Sequence, residues 1–337
     1  MVRNRALRAR SEAFSRWNHL IDADRFGQLE AWALRLAAAG RVTLNFHPDR
    51  IAASAVTVSA GLLEEGRYRS QWVTGISNGS RSAVPGGERH RFERTLFDGS
   101  YDGAEPSTLE FPVYGALDLL QDPHGGSPRF GSSYLVLAQD VRPRTTLCVG
   151  DSHLGPRDVG TFDAPWSLLA GLAEQAAVGS LLDRGLGLDD LLGVLAGEIV
   201  SCAASRRLDG YVEAQVHGGV DLACDVDAIV LDPSFAETDT ADDITAAAHR
   251  YGFEVRWHGG SNLAVDNVPS DFRGPTMPPL ARRVARPDRV VDARSIGNAA
   301  RRVRVERPLA GGDPPGSDLQ QLKYLWHTLL AHGHDAV

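Results

Sequence analysis

One short stretch of the sequence carries the residue types that an enzyme uses. Tyr211, Glu213, Gln215 and His217 alternate with three apolar residues, so in a β-strand the four polar side chains share one face. A solvent-exposed antiparallel strand would also alternate in this way. This stripe, however, combines an acid, a base and hydrogen-bonding groups, whereas ordinary solvent faces favour Thr, Lys, Arg and Ser. We therefore predict a ligand cleft, with Glu213 as the catalytic carboxylate and Gln215 beside it.

The surrounding segment, 209–235, predicts how this stripe is held. Gly218 and Gly219 follow the polar strand, and an apolar run from Val226 to Leu231 comes next. This order is typical of a β-hairpin in the centre of a sheet, and a rigid strand is a good support for a catalytic carboxylate.

A second group of polar residues follows a predicted strand near the N-terminus. The run 42–46 alternates as a strand and stops at His47 and Pro48, because proline cannot continue a ladder of hydrogen bonds. The pattern therefore places His47 and Arg50 at a strand end. The string TGISNGS, 74–80, offers backbone amides and small hydroxyl groups to a phosphate through Ser77 and Asn78, although a plain turn has the same composition.

Aromatic and hydroxyl groups downstream supply further candidates. Tyr114 lies in PVYGAL, and the predicted strand 132–139 opens with Ser132, Ser133 and Tyr134. Loops rich in Gly, Ser and Pro surround them, and binding groups often lie in such loops.

These strings resemble two known families. NFHPDR, TGISNGS, YGALDLL, PRFGSSY and EAQVHG look like an uncharacterised bacterial domain-of-unknown-function family, family 3626, over most of the chain. A strand that begins with Glu213, followed by a glycine turn and DVDAIVL, is similar to the end of an ADP-ribosyltransferase domain.

The second resemblance implies a function. In ADP-ribosyltransferases the glutamate stabilises the ribosyl cation as nicotinamide leaves NAD, which is an electrostatic task. The resemblance implies the same role for Glu213, a dinucleotide-holding role for His47 or Arg50, and a nicotinamide-packing role for Tyr114 or for the strand that opens at Ser132. His217 and Gln215 would help to position NAD, which is a substrate. The implied activity is that of a glycosyltransferase whose acceptor is left open.

Two other interpretations fit the same residues. A metal-dependent hydrolase could use His47, Asp49, Asp151, His153 and His217 with Glu213 as general base. Among these possible ligands only Asp151 and His153 are closely spaced in the sequence. That pair is also typical of a capped turn. A non-catalytic ligand-binding module is the third interpretation. The site predicted from the sequence therefore contains no metal ligand.

The order of elements predicts an α+β fold with a mixed or antiparallel sheet, which the second resemblance suggests is split as in ADP-ribosyltransferases. We expect a helical N-terminal segment at 1–40, a core at 41–260 with helices inserted at about 165–205, and a C-terminal extension at 261–337 with a terminal helix.

Composition limits the classes of function. The net charge of −8 disfavours a protein that neutralises a nucleic-acid backbone. The 3 cysteines have no paired spacing, which indicates neither a disulfide framework nor a zinc site and favours a reducing compartment. No apolar run reaches the roughly 20 residues of a membrane helix. We expect a cytoplasmic protein without a membrane partner, and secretion without a leader would leave the same sequence.

Overall fold

The computed structural model describes residues 2–52, 55–76, 83–103, 111–199, 208–306 and 318–336. Its α-helices are α1 Val2–Arg8, α2 Arg10–Asn18, α3 Ala23–Phe26, α4 Leu29–Ala39, α5 Val58–Glu65, α6 Gln71–Thr74, α7 Glu88–Leu96, α8 Trp166–Ala177, α9 Leu188–Ala196, α10 Leu222–Asp225, α11 Asp239–Tyr251, α12 Met277–Val284, α13 Ala293–Glu306 and α14 Asp318–His332. Short 3-10 helices lie at Pro128–Phe130, Gln139–Arg144, Ser152–Leu154, Pro233–Phe235 and Val265–Asn267.

The strands are β1 Val42–Phe46, β2 Arg67–Tyr68, β3 Val113–Leu117, β4 Ser133–Leu137, β5 Thr145–Val149, β6 Val159–Thr161, β7 Val212–Val216, β8 Val220–Asp221, β9 Val226–Leu231, β10 Glu254–Trp257, β11 Leu263–Ala264 and β12 Val290–Val291. Eight of them form one sheet in the order β10-β9-β4-β1-β3-β7-β5-β6. Only the β9–β10 pair is parallel. The α+β class and the mixed, largely antiparallel sheet are therefore confirmed, and within the described residues these eight strands form one continuous ladder.

The predicted hairpin at 209–235 is wrong, although both of its strands form. β7 pairs with β3 and β5, whereas β9 pairs with β4 and β10. After Gly218 and Gly219, both at positive φ, the chain leaves the sheet and forms β8, which pairs with β2 instead. The glycine turn therefore starts a crossover of the sheet. β7 is nevertheless central, with a strand on each side.

The two faces of the sheet differ in polarity. Leu44, Leu135 and Val212 belong to the main hydrophobic core, which also contains side chains from α4, α8, α9 and α11. The opposite face carries Thr43 on β1 and the polar stripe on β7. A second hydrophobic cluster gathers C-terminal side chains from 263–329 with Phe235. This cluster brings α14 against the 3-10 helix Pro128–Phe130, where the Trp326 Nε1–H donates to the Pro128 carbonyl at 3.0 Å.

Candidate active site

A cavity of about 320 Å³ opens where β1, β3 and β7 lie side by side. It is lined by the predicted site residues His47, Arg50, Tyr114 and Glu213. These come from three distant parts of the chain. They meet because β3 pairs with both β1 and β7, which places the end of β1 and the middle of β7 on either side of Tyr114.

Glu213 is the buried carboxylate of this cavity, with only 5% of its surface exposed. Its Oε1 accepts a hydrogen bond from Gln215 Nε2 at 2.8 Å, and its Oε2 accepts one from the Ser152 backbone N–H at 3.4 Å. Burial, followed by the nearby charge of Asp151, raises the pKa of Glu213 to about 7. Carboxyl groups with such displaced pKa values are concentrated at functional sites.

Asp151 is a lining residue that the sequence assigned only to a capped turn or to a metal ligand. It does cap the 3-10 helix Ser152–Leu154, because its carboxylate accepts the His153 backbone N–H at 3.2 Å. The His153 ring also pairs with the same carboxylate. The cap turns the chain sharply after β5, so that Asp151 and Ser152 both reach the cavity beside Glu213.

Tyr114 is held by a second buried glutamate, Glu93 of α7. The Tyr114 hydroxyl donates to Glu93 Oε1 at 2.7 Å, and Trp72 Nε1–H donates to Glu93 Oε2 at 3.0 Å. Arg89 donates to the same carboxylate and places its guanidinium 4.7 Å from the centre of the Tyr114 ring. The ring is thereby fixed in the cavity wall, as a stacking residue must be.

His47 and Arg50 follow β1, as the proline stop at residue 48 predicts. The His47 ring makes an edge contact with Trp326 of α14, with 5.3 Å between ring centres. Burial, followed by the charge of Arg50, lowers the pKa of His47 well below its usual value. His47 is therefore a neutral hydrogen-bonding group at pH 7, whereas Arg50 is a cation.

Asp49, which lies between them, points away from the cavity and gives a prediction on stability. Its Oδ2 is buried and has no hydrogen-bond partner among the residues that the structure describes, and burial raises the pKa of Asp49 to about 6 from 3.8. Between these pH values the folded protein binds more protons than the unfolded chain, so stability falls as the pH rises.

Asp49→Asn should therefore stabilise the fold by about 1–3 kcal/mol at pH 8 and have little effect at pH 3.5. Urea denaturation at the two pH values measures the difference. An equal effect at both values would contradict the burial of this carboxylate.

Gln215 and His217 share the β7 face with Glu213 but do not line the same cavity. Gln215 is 1% exposed and lies behind Glu213. His217 lines a second cavity, in which its ring stacks on Tyr101 and meets the edge of Phe97.

The structure places the serine pair and tyrosine that open β4 away from the cavity. β4 is three strands from β7, a distance of about 14 Å at the usual strand spacing. The Ser133 hydroxyl accepts the Asp232 backbone N–H, the Ser132 carbonyl contacts the His258 ring, and the Tyr134 hydroxyl donates to the Pro123 carbonyl. Ser77 and Asn78 lie outside the described residues, next to Ile76, which lines the cavity.

More basic side chains line the cavity than the sequence predicted. They are Arg50, Arg67, Arg69, Arg89, Arg129 and Lys323, and the acids among the described lining residues are Glu65, Asp151 and Glu213. Lys323 is the only lysine of the chain. Burial, followed by the charges of Arg129 and Arg50, lowers the pKa of Lys323 to about 8. Its uniqueness was the one sequence signal that could have singled it out.

Metal-ligating side chains do not cluster in the part of the chain that the structure describes. No group of three or more His, Cys, Asp or Glu side chains is placed there to hold a metal ion. Asp151 and His153 pair with each other, while His217 faces the second cavity.

The fold and the cavity define an α+β protein with a buried carboxylate in a cation-lined cavity. The chain belongs to the family described as "Protein of unknown function (DUF3626)", whose profile matches residues 41–332, and the resemblance to that family is thus confirmed. It is also similar to two proteins named "Gene 2 protein", with 28% identity over 185 residues to that of Mycobacterium phage L5 and 29% over 183 residues to that of Mycobacterium phage D29. Each match covers 54% of this chain, and the chain spans 65% and 64% of the length of these relatives.

None of the described helices combines the length and the apolar composition that a membrane crossing requires.

Proposed function

We propose that this chain is an NAD-using enzyme of the ADP-ribosyltransferase type, with Glu213 as the catalytic carboxylate. The observation that carries the proposal is the convergence of His47, Arg50, Tyr114 and Glu213 on one cavity. A strand end, an aromatic wall and a buried acid, which lie far apart in the sequence, thus supply the groups that the reaction requires.

The chemistry assigns one task to Glu213. When the bond between nicotinamide and ribose breaks, both electrons leave with nicotinamide and a positive charge develops on the ribose. A buried carboxylate beside that carbon stabilises the charge more strongly than water would, because it is already oriented and lies in a medium of low dielectric constant. The acceptor's nucleophile then bonds to the ribose carbon and loses its proton.

The other lining residues fit the nicotinamide, pyrophosphate and ribose groups of NAD. The ring of Tyr114, locked by Glu93 and Arg89, offers a flat surface to the nicotinamide. The basic side chains of the cavity suit a pyrophosphate. Four of the six also pair with a carboxylate of this chain: Arg67 with Asp221, Arg69 with Glu65, Arg89 with Glu93 and Arg129 with Asp209. His47 is neutral and lies at a strand end. It would donate a hydrogen bond to a ribose hydroxyl or accept one from it.

Incubation of the purified protein with NAD tests the proposal, with nicotinamide release and transfer of label from NAD as the readouts. Release of nicotinamide that requires Glu213 would support it. If neither NAD binding by calorimetry nor nicotinamide release is detectable, the proposal is wrong.

Lys323 gives a separate prediction for binding. Lys323→Gln should weaken NAD binding by about 10- to 100-fold, since a charged hydrogen bond contributes about 1.5–3 kcal/mol. Lys323→Arg keeps the charge and should lose less affinity. Arg282→Gln, on the exposed side of α12, is the matched control for loss of one positive charge. Equal dissociation constants for Lys323→Gln and Arg282→Gln would show that Lys323 does not contact the ligand.

A further inference from the structure

A continuous line of polar contacts runs from the candidate active site to the second cavity. Gln215 Nε2 contacts Glu213 Oε1 at 2.8 Å, Thr146 Oγ1 contacts Gln215 Oε1 at 2.7 Å, and Thr146 Oγ1 contacts His217 Nε2 at 3.0 Å. The other ring nitrogen of His217 contacts the hydroxyl of Tyr101. The line crosses from β7 to β5 and back, because Thr146 lies opposite Gln215 in the β5–β7 register.

The direction of every hydrogen bond in this line is fixed when Glu213 is ionised. A carboxylate only accepts, so the Gln215 amide must present its NH₂ group to Glu213 and its oxygen to Thr146. The Thr146 hydroxyl must then donate to that oxygen, and it accepts from Nε2–H of His217. His217 is left with Nδ1 as an acceptor for the Tyr101 hydroxyl.

We propose that this line is a hydrogen-bond chain that positions the Glu213 carboxylate, with the positioning residues Gln215, Thr146, His217 and Tyr101. The amide of Gln215 has two orientations that differ by a half-turn, and only one of them donates to Glu213. Thr146 selects that orientation together with Cys148, whose Sγ accepts from Gln215 Nε2 at 3.4 Å. His217 holds the Thr146 hydroxyl in its donating direction. The proposal deepens the proposed function, on which it rests for the role of Glu213.

The hydrogen-bond chain has a second state, which forms when Glu213 takes up a proton. Glu213 then donates to the Gln215 oxygen, the amide turns round, and Thr146 donates to Nε2 of His217. His217 loses the proton on Nε2 to solvent in the second cavity, which it lines, and takes one from solvent on Nδ1, so it stays neutral and donates to Tyr101. The tautomer of His217 thus reports the protonation of Glu213 through the sheet.

The surroundings of both ends allow this reversal to be observed. Burial, followed by the charge of Arg144, lowers the pKa of His217 to about 4, so the ring is neutral while Glu213 titrates. Among the described residues, the titratable groups that face Glu213 are Asp151 from the loop after β5, Cys148 on β5, Tyr114 on β3 and Tyr211 on β7. Burial raises the pKa values of the Cys148 thiol and the two tyrosines well above their usual values, which leaves Asp151 as the neighbour whose charge acts on Glu213 near neutral pH.

The test follows two spectroscopic signals over pH in the full chain without NAD. Long-range nitrogen–proton spectra give the tautomer of His217, assigned with His217→Phe, and carbon-13 labelled glutamate gives the titration of Glu213. In the wild type, the proton should move from Nε2 to Nδ1 as Glu213 becomes protonated, with the same midpoint near pH 7. A tautomer that stays constant through the Glu213 titration would overturn the proposal.

Thr146→Val interrupts the hydrogen-bond chain at its middle and conserves the shape of the side chain. The variant should raise the acid pKa of Glu213, with about a tenfold change in its dissociation constant, and the His217 tautomer should no longer follow it. Thr146→Ser should restore both signals. Thr43→Val, a buried threonine elsewhere on the same face of the sheet, is the control and should change neither. An unchanged Glu213 titration in Thr146→Val would also overturn the proposal.

These signals are independent of the proposed enzyme activity. If NAD is not cleaved but the His217 tautomer follows Glu213, the proposed hydrogen-bond chain is supported and the proposed function is wrong. If NAD is cleaved and the tautomer does not follow Glu213, the proposed function is supported and the hydrogen-bond chain is wrong.

Discussion

Glu213→Gln should lower the rate of nicotinamide release from NAD by about 100- to 1,000-fold, the usual effect of removing one electrostatic contact to a transition state. The amide has the shape of the carboxylate, and its oxygen can still accept from Gln215. Its NH₂ group then faces the Ser152 backbone N–H, so the change removes the negative charge and the 3.4 Å contact with Ser152. Binding of NAD should persist, because the cations and the Tyr114 wall stay in place.

The stability of this variant separates catalysis from folding. Because burial, followed by the charge of Asp151, raises the folded-state pKa of Glu213 to about 7 from 4.5, wild-type stability falls as the pH rises through that interval. Glu213→Gln removes this loss, so at pH 8 the variant should be at least as stable as the wild type. The activity of the wild type should also rise with pH up to about 7, as the carboxylate forms.

Glu65→Gln is the matched control for the loss of a carboxylate from the same cavity. Glu65 is exposed at the end of α5 and pairs with Arg69 at 2.6 Å, so its replacement should leave the rate of nicotinamide release nearly unchanged. Undiminished activity in Glu213→Gln, or an equal loss in Glu65→Gln, would remove Glu213 from the catalytic role.

The polar stripe on β7 shows what alternation in a sequence can establish. It correctly places the polar side chains on the face opposite to Val212, Ala214 and Val216, which lie in the main core. Residues four apart on a strand are separated by about 13 Å, however. That distance is enough to put Glu213 in one cavity and His217 in another, with Gln215 between them, and no local pattern reports where a cavity ends.

Local sequence patterns did not predict which strands pair with each other. The glycines at 218 and 219 are typical of a tight turn, yet β7 and β9 end four strands apart. The partners of β7 are strands whose residues lie about 65 to 100 positions upstream. That choice depends on the total burial of both faces, which a two-residue turn does not control.

The C-terminal contribution to the cavity was missed for a similar reason. Lys323 belongs to a helix that the sequence predicts well, but a helix pattern gives only a buried face and an exposed face. Its position beside Arg50 depends on Trp326, which contacts both His47 and the Pro128 carbonyl. Such contacts join residues nearly 280 positions apart, so composition identified Lys323 as unusual without placing it.

The close approach of Gly131 to β1 underlies this arrangement, and it predicts a large loss of stability when a side chain is added there. A Cβ atom at Gly131 would lie 2.1 Å from the Phe46 backbone nitrogen, a distance that no packed structure tolerates. The backbone of Gly131 is extended, with a φ of 178°, so the constraint is purely steric. Gly131→Ala should destabilise the fold by about 1–3 kcal/mol or more, the usual cost of overpacking, and it should weaken NAD binding because the end of β1 carries His47.

Gly61→Ala is the matched control, measured with Gly131→Ala by urea denaturation. Gly61 lies within α5, and no atom of the described residues approaches the position of its Cβ within 4 Å, so alanine there should stabilise the fold by about 0.5–1 kcal/mol through its helix propensity. The two glycines thus predict opposite signs for the same substitution. Equal stabilities would mean that the backbone at Gly131 can move away from Phe46, and the cavity would then lack the rigid junction between β1 and β4 that holds His47 and Arg129 around it.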